Sequence, residues 1–150
     1  MVKEFSLGFI FDATGENVLL VHKQKPAWQA GKINGIGGKI EEGESPEDCI
    51  ARETFEEACL TIPPQAWIYL GLITETSVSV HTFMTLFQGD TLDARKGDHE
   101  EVERFPTNNL PVNCIPNLRW IIPFAQEQML DSDKSTFHVT YSSLPEPIKS

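Results

Sequence analysis

The stretch GGKIEEGESPEDCIARETFEEACL, residues 37–60, decides how this chain is read. Ser45 is a good helix N-cap, Pro46 suits the first helical position, and Glu47 and Asp48 favour the positive helix end. A helix is therefore expected from about residue 46 to 58. On it, Glu53, Glu56 and Glu57 fall at i, i+3 and i+4, so one patch carries all three carboxylates. Each like-charge pair costs roughly 0.2–0.5 kcal/mol, in a chain whose net charge is already −10. Either the patch faces water as a solvated acidic face, or something offsets the repulsion.

The surroundings favour an offset. A Gly-Gly loop precedes the helix, and Glu44 stands just before its cap. Arg52, next to the cluster, offers a planar donor fork able to hold carboxylates in one geometry. Several hard oxygen ligands close together suit Mg²⁺ or Mn²⁺, particularly where phosphate and water complete the coordination.

The rest of the chain bounds the answer. A length of 150 residues fits one domain, 1–150, with a real core, and 40% hydrophobic with 23% charged residues is ordinary for a soluble globular protein. The longest apolar run, Trp67 to Ile73, is too short to span a bilayer. The N-terminus MVKEFSLGFIFD puts Glu4 and Asp12 around an alternating segment and does not read as a signal peptide. Three cysteines without a C-x-x-C pair suggest a reducing compartment, hence the cytoplasm. Twelve basic against 22 acidic residues disfavour a duplex nucleic-acid partner, whose affinity rests on phosphate neutralisation. A small phosphorylated ligand that brings metal ions with it is not excluded.

Along the chain, residues 4–12 and 17–23 read as strands joined at the hairpin signal DATGEN. Lys25 to Lys39, with Pro26 and four glycines, reads as a loop. WIYLGLITE and VSVHTFMTLFQ form a second hairpin turning near Thr76 and Ser77, and EEVERF leads into a short strand. PNLRWIIPFAQEQML starts a second helix that Pro123 should disturb or kink. STFHVTYSS is a last strand and LPEPIKS a frayed tail. This order is α+β, with a mixed sheet between helices. The four histidines are scattered without ligand spacing.

The opening stretch resembles the Nudix box, G-x5-E-x7-R-E-U-x-E-E-x-G-U with U bulky and aliphatic. The matching residues are Gly38, Glu44, Arg52, Glu53, Glu56, Glu57 and Leu60. Thr54 departs from the aliphatic position, and Cys59 replaces the glycine that ends the helix. If that position needs positive φ, Cys costs roughly 1 kcal/mol against Gly. The resemblance implies a mixed-sheet α/β/α sandwich and hydrolysis of nucleoside diphosphates linked to another moiety. It also implies divalent ions held by Glu53, Glu56 and Glu57 with the main-chain carbonyl of Gly37 or Gly38. Arg52 would orient carboxylates and Glu44 would brace the loop. The general base is Glu53 or a glutamate of the loop GDHEEVERF, either Glu100 or Glu101.

The box is silent on substrate. KINGIGGKIEEGE, through its Asn-Gly-x-Gly-Gly-Lys run ending at Lys39, is similar to 8-oxo-dGTP diphosphatases of the MutT type. That likeness extends thinly to DHEEVERF and IPNLRWIIPF. It implies that Asn34 and Asn117 read a purine edge, since an amide offers donor and acceptor together. Asn34-Gly35 is also an ordinary turn pair, and Asn117 also an ordinary cap. Trp28 stacks on the base or lids the core; Lys23, Lys25 and Lys39 touch phosphate or water. Three functions remain open: a nucleoside triphosphate pyrophosphohydrolase acting on dNTPs or oxidised purine dNTPs, a hydrolase of ADP-ribose, NADH or sugar nucleotides, and a non-catalytic Nudix-like nucleotide-binding module. Oligomeric state is not legible.

Overall fold

The computed structural model describes residues 2–87, 95–96, 100–131 and 133–142, with backbone alone at 95–96. The tail LPEPIKS and His99 lie outside the described residues. Strands β1 (Lys3–Phe11), β2 (Asn17–His22), β3 (Ile33–Asn34) and β4 (Ile36–Lys39) precede helix α1 (Pro46–Ala58). Then come β5 (Ile68–Glu75), β6 (Val78–Leu86), β7 (Arg95–Lys96), β8 (Glu101–Pro106), helix α2 (Leu118–Leu130) and β9 (Phe137–Tyr141). The strands join in one mixed sheet in the order β7-β8-β2-β1-β6-β5-β9, with β3 on β2 and β4 on β1. Pairings β1–β6 and β5–β9 are parallel and the others antiparallel.

Strand alternation splits the core in two. Leu7, Phe9, Phe11, Val18 and Leu20 face α2, which answers with Leu118, Ile121, Ile122 and Ala125 at helical spacing. Ile10, Leu19 and Val21 face α1 and pack with Ile50, Ala58, Trp67 and Phe83. Helices on opposite faces of a mixed sheet make the α/β/α sandwich. The α2 interior runs through Pro123 rather than breaking there.

One expectation fails. Residues 25–39 are not a plain loop: a 3-10 turn at Ala27–Gln29 is followed by β3 and β4. Glycine-rich sequence has poor strand propensity, but β1 supplies the ladder, pairing Ser6 with Gly38 and Leu7 with Gly37. A Cβ at Gly37 would meet the Ser6 carbonyl oxygen at 2.3 Å, so only glycine permits this approach.

Helix α1 forms as its sequence dictates. The Asp48 N–H donates to Ser45 Oγ (3.0 Å), and the helix ends at Cys59 in the left-handed region (φ 57°), whose N–H donates to the Phe55 carbonyl. Cys59 is exposed and a free thiol, so its side chain is not buried in the core to offset that conformation. Cys59→Gly should leave stability unchanged or raise it by up to about 1 kcal/mol, read by thermal denaturation. A loss of that size would show that the Cys59 side chain contributes packing.

Candidate active site

The face of α1 turned to the sheet carries Cys49, Ile50, Thr54, Glu57 and Ala58. Glu57 therefore lies on the buried stripe and is only 6% exposed. Its Oε2 accepts the Gly37 N–H at 3.2 Å. Burial pushes the Glu57 carboxyl up to about 8 against the pull of Lys23, with the Glu53 charge adding to the rise. Glu53 is also half-enclosed, and burial raises its carboxyl, opposed by Arg52 and reinforced by Glu56. Gly38 is the seat for Glu53: a Cβ there would meet its carboxylate oxygen at 2.3 Å. Thr54 has turned its departure from the box to use, its hydroxyl donating to the Ile50 carbonyl (2.7 Å) inside the core.

Arg52 holds the cluster from outside. Its Nε and Nη2 donate to the two Glu44 oxygens at 2.7 and 3.0 Å. Its Nη1 donates to Glu53 Oε1 (3.0 Å) and Glu56 Oε2 (3.2 Å), and Nη2 reaches the Lys39 carbonyl. Glu44 also accepts the Glu41 N–H (3.0 Å), and the Arg52 bonds hold its carboxyl below the usual range. Glu44 thus ties the loop before α1 to the helix.

The β8 side brings a fifth glutamate. Glu100, 4% exposed, receives Lys23 Nζ at 3.1 Å on Oε1 and the N–H groups of Gln24 and Lys25 on Oε2. Burial alone would raise its carboxyl, but these donors outweigh burial and leave it below the usual range. Glu101 goes elsewhere. Strand alternation sends it with Glu103 toward His22, whose Nε2 lies 2.7 Å from Glu103 Oε1. Glu100 rather than Glu101 therefore joins the α1 cluster. His22, Glu101 and Glu103 have ligand atoms within 4.8 Å of one another. Only register, invisible along the chain, joins residues so far apart in sequence.

Glu53, Glu56 and Glu57 do not close to that degree among the described residues. Repulsion and separate partners keep them apart, Glu56 on Arg52 and Glu57 on Gly37. Five carboxylates with Glu44 and Glu100 face two cations, Arg52 and Lys23. A buried carboxylate with one N–H donor, beside another seated on glycine, is a donor set that fits a hard divalent ion.

Next to the cluster opens a cavity of about 340 Å³. Its lining includes Lys23, Gly37 and Gly38 together with Trp28, Asn34, Asn117 and the apolar Ile73 and Ile115. Trp28 is 66% exposed, so it is not a core lid. Asn34 Nδ2 donates to Gln29 Oε1 (3.1 Å), and its Oδ1 accepts the Gly35 N–H (2.8 Å), so its amide also shapes the turn. Asn117 precedes α2 without a side-chain capping bond. Its Oδ1 is buried with no hydrogen-bond partner among the described residues. Lys39 is exposed and does not line this cavity; it borders a shallow groove with Glu41 and Glu42. The sequence did not single out Gln29, Glu75 and Tyr141, which also line the cavity; no motif marks them.

A family model described as the NUDIX domain matches residues 6–127. The chain belongs to the Nudix family. The solved NUDIX hydrolase from Nitrosomonas europaea superposes with TM-score 0.75 at 17% identity, covering 95% of this chain and 80% of that one. The MutT protein from Bacillus halodurans gives TM-score 0.69 at 21% identity, over 96% and 92%. At such identities the likeness speaks for the Nudix fold. The oxidized purine nucleoside triphosphate hydrolase of Mus musculus is 43% identical over 44 residues, 29% of this chain. That match spans 28% of the mouse protein's length.

The Glu57 carboxyl carries a testable pH signature. Between about 4.5 and 8 the folded chain holds a proton there that the unfolded chain has lost. Stability should therefore fall as pH rises through that window. In excess chelator, Tm should be lower at pH 8 than near pH 5.5, and Glu57→Gln should flatten the slope. A Tm that rises across the window in the wild type would show Glu57 ionised throughout.

Proposed function

We propose that this Nudix chain is a Mg²⁺- or Mn²⁺-dependent hydrolase that splits a nucleoside triphosphate into the monophosphate and pyrophosphate, with oxidised purine deoxynucleotides as its substrate class. The observation that carries the reading is one continuous cavity. Gly37, Gly38 and Lys23 line it beside the carboxylates, and Asn34, Asn117 and Trp28 line it where a base would fit. A diphosphate and a base joined through one sugar need such adjacency. The local likeness to the mouse oxidized purine nucleoside triphosphate hydrolase supports the same substrate class.

Glu53, Glu56 and Glu57, with a main-chain carbonyl of Gly37 or Gly38, are the residues proposed to hold the ion. When bound, a divalent ion neutralises diphosphate charge and makes an attacking water more acidic. The protein's own groups do the remainder. Arg52 fixes Glu53 through Oε1, and Oε2 has no hydrogen-bond donor among the described residues. With its carboxyl raised by burial, Glu53 is the better proton acceptor, since a base works best with its pKa near the working pH. Glu100, bound by three donors and acidified, is the weaker base. Asn117 Oδ1 is an unsatisfied acceptor suited to an N–H donor on a base edge, and Trp28 offers a face for stacking.

A nucleotide panel with Mg²⁺, reading both products, tests the reading. Turnover should require the ion, and Glu57→Gln should remove most activity while circular dichroism stays unchanged. Full turnover by that variant, or by wild type in excess chelator, rejects the metal assignment. Asn117→Ala and Asn34→Ala should each lower kcat/KM for the preferred purine by about one to two decades, the equivalent of ~1–3 kcal/mol. Poor pyrimidine substrates should be nearly unaffected. An equal loss on every nucleotide would make these asparagines shape the loop rather than read the base, and the oxidised-purine reading would lose its support.

A further inference from the structure

We propose that Lys23 is a positioning residue, the resident counter-cation of the carboxylate cluster, which a divalent ion must displace or repel in order to bind. The inference rests on reading the α1 carboxylates as a metal site, and it concerns what already neutralises them.

Lys23 follows directly on β2, and its ammonium lies 3.1 Å from Glu100 Oε1, with side chains 13% and 5% exposed. Its charge also acts on Glu53 and Glu57, opposing the effect of burial on both. One ammonium thus pairs with Glu100 and lines the cavity with Gly37 and Gly38, the glycines against which Glu57 and Glu53 sit. Three successive residues converge on Glu100, because the Gln24 and Lys25 N–H groups reach its other oxygen. Those N–H groups lie beyond the end of β2, which frees them from the sheet ladder. Glu100 is therefore anchored by neutral donors even without Lys23. The Lys23 charge is the exchangeable part of this arrangement. An ammonium supplies one charge and three donors on a flexible stem. A divalent ion supplies two charges and gathers more oxygens at shorter range, so at Glu53 and Glu57 it meets the positive field that Lys23 already exerts. This assigns Lys23, in the nucleotide-free protein, to the glutamates rather than to phosphate.

Calorimetric titration of nucleotide-free protein with Mn²⁺ tests the proposal, with Tm measured in excess chelator. Lys23→Met should bind Mn²⁺ about three- to tenfold tighter, since a repelling charge a few ångströms away is gone. Its chelator Tm should drop by roughly 4 °C or more, because buried carboxylates lose their ionic partner. Lys23→Arg should bind within about twofold of wild type. Lys25→Met removes the same charge from an exposed side chain and should leave affinity within about twofold. Lys23→Gln keeps a donor without the charge and supplies the affinity readout if the Met variant does not fold. Unchanged or weaker Mn²⁺ binding by the neutral Lys23 variants overturns the proposal. So does an equal gain in Lys25→Met, which would reflect net charge alone. Wild type that binds no Mn²⁺ would reject the metal reading itself, a result distinguishable from failure at Lys23.

Discussion

Everything at this site follows from Glu57 sharing a helix stripe with Ile50, Thr54 and Ala58. The stripe is driven into the sheet by apolar burial, worth about 1.5–3 kcal/mol for a side chain such as Ile50. The carboxylate at its edge is carried inside with it. The contact is close because β1 yields space: a Cβ at Gly8 would meet Ile50 at 2.7 Å. Apolar packing thus supplies the force that holds a carboxylate where water cannot solvate it well. The fold raises the free energy of one charged group and leaves it receptive to a cation.

Arg52 has the opposite part. Its guanidinium sits at the open rim, where it joins Glu44 bidentately and touches Glu53 and Glu56. Fork geometry lets one side chain serve several carboxylates without collapsing them together. The inner carboxyls are raised by burial, whereas Glu44 and Glu100, rich in donors, are lowered. Environments that push like groups apart in acidity divide them between proton-handling and anchoring roles.

The glycines of β4 connect this cluster to the cavity. Gly37 is close to β1 on one side and offers its N–H to Glu57 on the other, while Gly38 seats Glu53. Both also line the cavity that Asn34 and Asn117 share. Larger residues would close the approach on either side. The same two positions therefore bring carboxylates, backbone and base-sized space into register.

The sequence by itself determined helix α1, its cap and the polar set along one face, because these depend on interactions within a few residues; the left-handed end at Cys59 was only conditional there. It also determined the two hairpins through their turn signals and β-rich runs, and its element order a mixed sheet between helices; the α/β/α sandwich was what the resemblance implied. Tertiary structure alone decided which glutamate beyond the helix joins the cluster. Glu100 and Glu101 are neighbours of one type, and at the entry to β8 one pairs with Lys23 while the other lies by His22. It also decided that residues 33–39 are strands, since β1 and β2 lend glycine-rich sequence the ladder that its own propensity withholds. The pairing of Lys23 with Glu100 belongs to the same class. Each joins segments tens of residues apart, and such contacts are fixed by strand register and sheet order rather than by local sequence.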